Sequence, residues 1–318
     1  MEKLNLAIKE MNSNPKVCAV VVTYNRKELL LNCLQFLIKQ TYPIAHIVVV
    51  NNASTDDTIN FLEENGWINS EQFTLLTLPC NKGGAGGFYE GLKYAYENNF
   101  EYIWLMDDDG YPSENCLENL VNYISEDCYI GPMVLEPISQ DKLSFALRIP
   151  NSLQIIDSYS SISDKFKQKN FIRDIVLPFN GTLISRQLVK NIGLIKEKYF
   201  IWGDDKEYTI RASKSGANIL TVIDAIFYHP ADSSSSTKMF FGKLRFNYSS
   251  SNLKLYCFCR NAIDIFKLHG TIWHIIGFWL KTTWFFMFTK PSVKELIFTW
   301  RAMWHGLRDD FSHHIKYL

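Results

Sequence analysis

Residues 17–26 read VCAVVVTYNR and residues 44–56 read IAHIVVVNNASTD, and these two stretches decide the fold class. Each is a β-branched apolar run that ends in polar residues, the pattern of a strand buried on both faces. Apolar residues at helical spacing lie between them, at 27–40. Two buried strands joined through a helix predict a parallel, doubly wound α/β sheet, whose ligands bind at the carboxyl ends of the strands.

The same alternation continues along the chain. Further elements are predicted as strands at 73–78, 102–106 and 219–222, and as helices at about 57–65, at 86–98 and from about 204. Residues 138–175 are polar and weakly periodic, and we interpret them as a variable excursion. The serine-rich stretch 232–236 is predicted to be a hinge or flexible loop.

Composition and charge divide the chain into parts of different character. The 318 residues carry zero formal net charge and are 47% hydrophobic, which excludes a disordered chain and indicates no nucleic-acid partner. Residues 238–318, however, hold 12 Lys and Arg against 4 Asp and Glu, and five of the 8 Trp. We therefore expect a leader at 1–15, an α/β domain at 16–236 and a helical, basic and aromatic segment at 237–318.

Cysteine usage and the first residues bear on the compartment. The 7 Cys show no CxxC spacing, so neither a disulfide framework nor a zinc site is indicated, and a reducing compartment fits best. The polar start, MEKLNLAIKEMNSNPK, lacks the apolar run of a signal peptide. These features predict a cytoplasmic protein.

Asp107, Asp108 and Asp109 form the strongest local signal, directly after a predicted strand. Adjacent carboxylates repel one another and need solvent or a cation. The first and third point the same way from an extended backbone and can share a divalent ion that also binds diphosphate oxygens. A solvated acidic turn is the alternative, and the position at a strand's carboxyl end favours metal. His229 also follows a strand; such a residue is usually structural, but as an added ligand it would favour Mn²⁺ over Mg²⁺.

Two further motifs leave alternatives open. The WGDDKE stretch at 202–207 either complements a helix dipole with acidic residues or supplies a general base. The NKGGAGGF stretch at 81–88 either makes a tight turn or brings backbone N–H groups close to phosphate or sugar oxygens. The glycines match neither the dinucleotide-binding GxGxxG pattern nor a Walker A loop, which disfavours an NAD-dependent oxidoreductase.

Taken in order, five motifs resemble those of glycosyltransferase family 2, the inverting enzymes of GT-A fold. The motifs are VVVTYNR (20–26), VVVNNASTDDT (48–58), NKGGAGGF (81–88), WLMDDDG (104–110) and FIWGDDKEYTIRA (200–212). The resemblance covers about residues 17–230. Within the family, the combination is most similar to galactofuranosyltransferases and related rhamnosyltransferases of polysaccharide assembly, such as that of O-antigen.

The resemblance implies a role for each motif. It makes Asp205 the catalytic base of a single displacement, and it makes Asp107, Asp109 and His229 the ligands of Mn²⁺ or Mg²⁺. The donor-binding residues would be Thr23, Tyr24, Arg26, Asn51, Asn81, Gly83, Gly84 and Asp108. The acceptor-binding residues would be Trp202, Asp204 and Glu207. Family members commonly have Asp where Asn51 stands, so the base, uracil or thymine, stays open.

The resemblance also implies substrates. It predicts transfer of a hexose, galactofuranose from UDP-galactofuranose, onto a polyprenyl-diphosphate-linked cell-surface glycan. The alternatives are a rhamnosyltransferase using dTDP-rhamnose and, in another class, a non-catalytic scaffold that binds nucleotide sugars in an assembly complex. The complete set of candidate metal ligands and base argues against a scaffold. Arg260 and Asn261 resemble a Tyr-x-x-Arg-Asn element that follows the catalytic domain in related enzymes. The oligomeric state is left open.

The stretch 271–289, TIWHIIGFWLKTTWFFMFT, is nearly long enough to cross a membrane as a helix. Lys281 near its middle makes a simple span costly. Trp and Phe flanked by basic residues are instead typical of a helix lying in the interface of an anionic membrane. A helix packed on the catalytic domain or on another subunit is the alternative. We expect peripheral attachment to the inner face of the cell membrane.

Overall fold

The computed structural model describes residues 14–152, 154–177, 179–231 and 236–318. Most of the predicted leader and residues 232–235 of the predicted hinge lie outside these ranges. The strands are β1 Val17–Thr23, β2 His46–Asn51, β3 Phe73–Thr77, β4 Tyr102–Asp107, β5 Tyr111–Pro112, β6 Cys128–Leu135, β7 Lys142–Arg148, β8 Ile155–Ser158, β9 Phe171–Arg173, β10 Asn180–Ser185, β11 Asn218–Tyr228, β12 Ser236–Met239 and β13 Leu244–Asn247.

The helices connect these strands and dominate the C-terminal part. They are α1 Lys27–Leu37, α2 Thr58–Glu64, α3 Gly83–Glu97, α4 Cys116–Val121, α5 Asp164–Lys169, α6 Arg186–Ile192, α7 Asp204–Lys214, α8 Asn252–His269, α9 Ile272–Trp284 and α10 Val293–Leu307. A π-helical turn at Phe285–Thr289 continues α9, and 3₁₀ turns lie at Glu197–Tyr199 and His313–Tyr317.

The central sheet has the strand order β3-β2-β1-β4-β10-β6-β11-β5. The first four strands are parallel, β10 is antiparallel to both of its neighbours, and β11 is again parallel to β6. The predicted doubly wound, mainly parallel α/β sheet is therefore confirmed. The arrangement brings the carboxyl ends of β1, β2, β4 and β11 to one edge of the sheet.

Both faces of the sheet are covered. Along β4, Trp104 and Met106 point into a core formed with α1 and α4, while Ile103 and Leu105 point into a second core formed with α3, α6 and α7. All four side chains are completely buried. Burial on both faces is the reason that the strands appear in the sequence as continuous apolar runs.

The excursion at 138–175 is more ordered than its sequence indicates. It contains β7, β8, α5 and β9, and its apolar residues Leu147, Ile156 and Ile172 form a small core with Met133 of β6. Short strands with irregular pairing offer little periodicity, so the sequence did not reveal them. A register shift between Val222 and Ile226 likewise hides the full length of β11.

The C-terminal segment is helical as predicted but begins with an unpredicted hairpin, β12–β13. Phe246 of this hairpin packs in a core with α8, α9 and α10, and that core includes Phe200 and Ile201 of the α/β part. The segment thus packs directly against the sheet domain. Among the described residues, no helix combines the length and the apolar character needed to cross a membrane.

Candidate active site

A cavity of about 480 Å³ lies at the carboxyl edge of the sheet, a size typical of small-molecule sites. β1 and β4 end here side by side, with Val22 opposite Asp107, and His229 follows the last residue of β11. Eight predicted site residues line it: Arg26, Gly84, Asp107, Asp109, Trp202, Asp204, Asp205 and His229. Four motifs that are far apart in the sequence therefore meet in one place.

Asp108 joins two of these motifs and is itself buried. Thr23 donates its hydroxyl to Oδ2 of Asp108 at 2.6 Å, and Nη1 of Arg26 lies 3.1 Å from Oδ1. Burial raises the pKa of Asp108 to about 6, although these two partners oppose the increase. Asp108 therefore holds the end of β1 to the end of β4 and does not line the cavity.

Asp109 lies between two positively charged or chargeable groups. Its Oδ2 accepts from Nη1 of Arg26 at 2.6 Å, and its Oδ1 lies 3.1 Å from Nε2 of His229. Against the effect of burial, His229 and Arg26 hold the pKa of Asp109 below its ordinary value. The same contact, again opposed by burial, raises the pKa of His229. The backbone carbonyl of His229 accepts a hydrogen bond from Ser144 of β7 at 2.6 Å, so the excursion helps to position His229.

Of the three adjacent aspartates, Asp107 is the one whose negative charge is least compensated by its neighbours. Burial and the charges of Asp109 and Asp108 raise its pKa to about 8. Oδ1 of Asp109 is also buried, and Nε2 of His229 lies 3.1 Å from it. Crowded, buried carboxylates are the environment that a divalent cation would neutralise.

The candidate ligand atoms of Asp107, Asp109 and His229 lie further apart than those of a closed metal site. Within the described part of the chain, His305, Asp310 and His313 bring three ligand atoms within 4.8 Å of one another, and they do not line the cavity. Asp107, Asp109 and His229 are spaced more widely around it. Such an open set suits an ion that is completed by oxygens of a bound diphosphate.

Asp204 and Asp205 open helix α7 and also line the cavity. Burial, together with the neighbouring Asp205, raises the pKa of Asp204 well above its ordinary value. Burial also raises the pKa of Asp205, opposed by the backbone N–H of Lys206, which donates to Oδ1 at 2.6 Å. Asp205 is the more accessible of the two carboxylates. Both carboxyls thus have raised pKa values, and Asp205 is the one that is more open to a bound molecule.

The glycine loop approaches the cavity through Gly84 and is held by its neighbours. Gly83 has φ +69°, and a Cβ there would lie 2.1 Å from the carbonyl oxygen of Phe200, so no other residue fits. Oδ1 of Asn81 accepts from the N–H of Gly83 at 2.7 Å, and Nδ2 of Asn52 donates to its carbonyl at 2.9 Å. Asn81 and Gly83 thus shape the loop and do not line the cavity.

Four other predicted residues also lie outside the cavity lining, and one of them is Thr23, the hydrogen-bond partner of Asp108. Tyr24 is 43% exposed, and Asn51 is buried with its Nδ2 unpaired. Glu207 is fully buried and pairs with Lys196 at 2.9 Å, Arg211 at 2.9 Å and His269 at 3.0 Å. The position of Glu207 does not support the predicted contact with an acceptor. Glu207 instead links α7 to α8 through His269, and Lys196 and Arg211 compensate the burial of its charge.

Sequence reasoning missed the apolar wall and one cation. The additional lining residues are Phe88, Phe145, Leu177, Phe179, Asn180, Ile201, Pro230, Ala231 and Lys254. Asn180 starts the antiparallel strand β10 beside the end of β4, a position that the strand order alone would identify. Lys254 belongs to α8, and no motif signalled that the C-terminal segment would reach the cavity.

Comparison with known proteins agrees with this arrangement. The model of the family "Glycosyl transferase family 2" matches residues 18–193. Galactofuranosyltransferase GlfT1 of Mycobacterium tuberculosis is 29% identical over 93% of this chain and 96% of that protein. The dTDP-rhamnosyl transferase RfbF of Shigella flexneri is 26% identical over 69% of this chain and 70% of that protein.

Solved structures show the same fold. The crystal structure of GalNAc-T7 with UDP, GalNAc and Mn²⁺ superposes with a TM-score of 0.59 at 14% identity, over 95% of this chain and 58% of that chain. The likeness identifies the GT-A fold, as the resemblance implied. Because the family model covers more than half of the chain and the GT-A sheet carries the family's motifs at its carboxyl edge, this protein belongs to glycosyltransferase family 2 and is a glycosyltransferase.

Proposed function

We propose that the chain is an inverting, metal-dependent galactofuranosyltransferase whose donor is UDP-galactofuranose. The carrying observation is the cavity that Asp107, Asp109 and His229 line together with Asp204 and Asp205. The donor assignment rests on the GlfT1 relatives, which match nearly the whole chain, including the C-terminal segment, whereas the rhamnosyltransferase matches about two thirds.

The donor side of the cavity suits a nucleoside diphosphate. Asp107, Asp109 and His229 would hold the divalent ion, for which we propose Mn²⁺ because an imidazole joins the carboxylates. When bound, such an ion stabilises the negative charge of the leaving diphosphate. Arg26, which is 48% exposed at its side chain, and the N–H groups around Gly84 would contact the phosphates. The unpaired Nδ2 of Asn51 is a donor that a pyrimidine carbonyl or a ribose hydroxyl would satisfy.

The acceptor side supplies the base. Asp205 removes the proton of the attacking hydroxyl, whose oxygen then bonds to the anomeric carbon. The bond between that carbon and the diphosphate oxygen breaks, and UDP leaves with the electron pair. Attack from the face opposite the leaving group inverts the anomeric configuration. Trp202 and the apolar wall formed by Phe88 and Phe179, whose rings lie 4.6 Å apart, limit water beside the reacting carbon.

A donor panel tests the assignment. The full chain is assayed for nucleotide release with Mn²⁺ against UDP-galactofuranose, UDP-galactopyranose, UDP-glucose, UDP-N-acetylglucosamine and dTDP-rhamnose. We expect turnover of UDP-galactofuranose alone, abolished by chelation and restored by Mn²⁺. Selective turnover of dTDP-rhamnose would replace the donor assignment. Tight binding of a donor without turnover, even with candidate glycan acceptors, would favour a scaffold.

The C-terminal segment supports an acceptor presented at a membrane. On α9 the exposed residues Ile272, Trp273, Ile276 and Leu280 share one helical face. On α10 a second apolar face is formed by Val293, Ile297, Trp300 and Trp304. Nε1 of Trp300 donates to Oγ1 of Thr283 at 3.0 Å, which places the two faces side by side. We call these eight residues the aromatic face.

The charge around the aromatic face points to one partner. Four exposed cations lie before, along and just after α10, namely Lys290, Lys294, Arg301 and Arg308. Apolar side chains flanked by cations match an anionic lipid surface. We therefore propose that the segment lies on the inner face of the cell membrane, where a polyprenyl-diphosphate-linked glycan would be the acceptor.

Vesicle binding tests this attachment. The full chain is sedimented with phosphatidylcholine vesicles that contain or lack phosphatidylglycerol. Replacing both Trp273 and Leu280 with Ala is expected to weaken binding to anionic vesicles by about tenfold or more, because each side chain contributes about 1.5 kcal/mol or more when buried. The matched control is Ile138→Ala, a fully exposed apolar residue of the excursion. Equal binding of the double variant, or no dependence on phosphatidylglycerol, would contradict the proposal.

A further inference from the structure

The turn that carries the candidate base has an unusual backbone. Phe200, Trp202 and Gly203 all have positive φ values, of 65°, 63° and 102°, directly before Asp204 and Asp205. Left-handed conformations are unfavourable for the two aromatic residues and persist only where surrounding contacts impose them. The helix that follows has no side-chain cap at its start. Something outside the turn must therefore hold it.

Asn261 of α8 provides that support. Its Nδ2 lies 3.0 Å from the carbonyl oxygen of Tyr199, 3.1 Å from that of Ile201 and 2.6 Å from that of Trp202. Asn261 is 1% exposed, so these carbonyls face a donor that water cannot replace. One side-chain amide, with two N–H groups, thus lies within hydrogen-bond distance of three carbonyl oxygens of the turn.

Arg260 fixes the amide in place and adds a contact of its own. Nε of Arg260 donates to Oδ1 of Asn261 at 2.9 Å, which orients the Nδ2 group towards the turn. Nη2 of Arg260 donates to the carbonyl of Tyr199, also at 2.9 Å. The guanidinium is fully buried, between the turn and the ring of Phe311, which lies 4.6 Å from its central carbon.

Asp264, one helical turn further on, completes the contact. It is fully buried, accepts from the hydroxyl of Tyr199 at 2.7 Å and pairs with Nζ of Lys198 at 3.1 Å. Three polar side chains on one side of α8 are thus buried against residues 198–202. A helix that only packed on the sheet domain would be expected to bury apolar residues at this contact. Gly203 reaches the same helix, since a Cβ added to it would lie 3.3 Å from Asn261.

We propose that Arg260 and Asn261 are positioning residues for the transfer reaction, acting through the turn at 199–203. In this arrangement the C-terminal segment completes the active site by fixing Trp202 and the start of α7. The inference deepens the proposed function, because the start of α7 carries the proposed base, Asp205. Loss of the amide contacts would leave the ends of β1 and β4, which carry Arg26, Asp107 and Asp109, unchanged.

Asn261→Asp is the sharpest test, because it keeps the shape and replaces the donating group with an oxygen that faces three carbonyls. We expect kcat for UDP release from UDP-galactofuranose to fall on the order of 10²-fold, the effect of misplacing a reacting group by about 1 Å. The KM for the donor and the affinity for UDP with Mn²⁺ should stay unchanged. Arg260→Lys, which loses the planar fork, should lower kcat in the same way and serves if Asn261→Asp does not fold.

The matched control is Ile263→Ala, in the same helix. Ile263 is fully buried but packs near Gly306 of α10, away from the turn. It should lower the melting temperature and leave kcat unchanged. An equal fall of kcat in the control, or full kcat in both Asn261→Asp and Arg260→Lys, would overturn the inference. Asp205→Asn is assayed in parallel: its result decides the base, whereas the split between kcat and KM in Asn261→Asp decides the positioning role.

Discussion

Replacing Asp205 with Asn is expected to reduce donor turnover by about 10²–10⁴-fold, the range that a general base contributes. Asparagine keeps the size of the side chain and its contact with the N–H of Lys206 but cannot accept a proton. UDP binding in the presence of Mn²⁺ should be unaffected, because the nucleotide side of the cavity does not involve Asp205. Single-turnover release of UDP, measured beside the UDP dissociation constant, separates the two effects.

The pH profile gives a second readout of the same group. Burial raises the pKa of Asp205, and a base works only when it is deprotonated. The rate should therefore fall as the pH drops through a value above the ordinary range of aspartate, and this acidic limb should be absent from the residual activity of Asp205→Asn. Asp204→Asn is the informative neighbour. If it, and not Asp205→Asn, abolished turnover, the base would be the more deeply buried carboxyl.

The sheet and the site motifs could be predicted because each rests on local chemistry. The apolar run 17–22 predicts a buried strand from its own residues. The three adjacent aspartates indicate a cation site because their negative charges repel one another. Parallel topology then brings such strand ends together, so Asp107 and His229, which each follow a predicted strand, could be expected at one edge of the sheet. Asp205 opens a helix and follows no strand, so its place in the site was predicted from the family resemblance.

The parts that escaped prediction depend on tertiary contacts. Glu207 stands in the first turn of α7 with Asp204 and Asp205, and its sequence position alone does not show that it turns inward to Lys196 and Arg211. Nothing in the local sequence distinguishes Asn261 from other helical residues, because its role depends on its contact with the turn at 199–203. Likewise, the excursion contributes Phe145 to the cavity through pairing that its sequence does not signal. Long-range packing, rather than local pattern, decides all three.

Asp109→Asn is expected to lower Mn²⁺-dependent turnover on the order of 10²–10³-fold, as when one preorganised electrostatic group is removed from an active site. Asp109 contacts Arg26 at 2.6 Å and faces His229 at 3.1 Å, so its charge holds the two sides of the donor cavity together. The amide would weaken any ion bound between Asp107 and His229 and would release Arg26. Mn²⁺ titrations of activity and of UDP binding should therefore both shift to higher metal concentration.

The matched control for this change is Asp164→Asn, an exposed carboxylate in the first turn of α5, which should behave as the unmodified protein. The two titrations also separate the roles of Asp109. If UDP binding weakened while the dependence on Mn²⁺ stayed the same, Asp109 would act through Arg26, because only the phosphate contact would be lost. If neither titration shifted, the acidic cluster would not hold the metal, and the raised pKa values of Asp107 and Asp108 would reflect only burial and the neighbouring carboxylates. A joint shift is the result expected when carboxylate, imidazole and diphosphate share one ion.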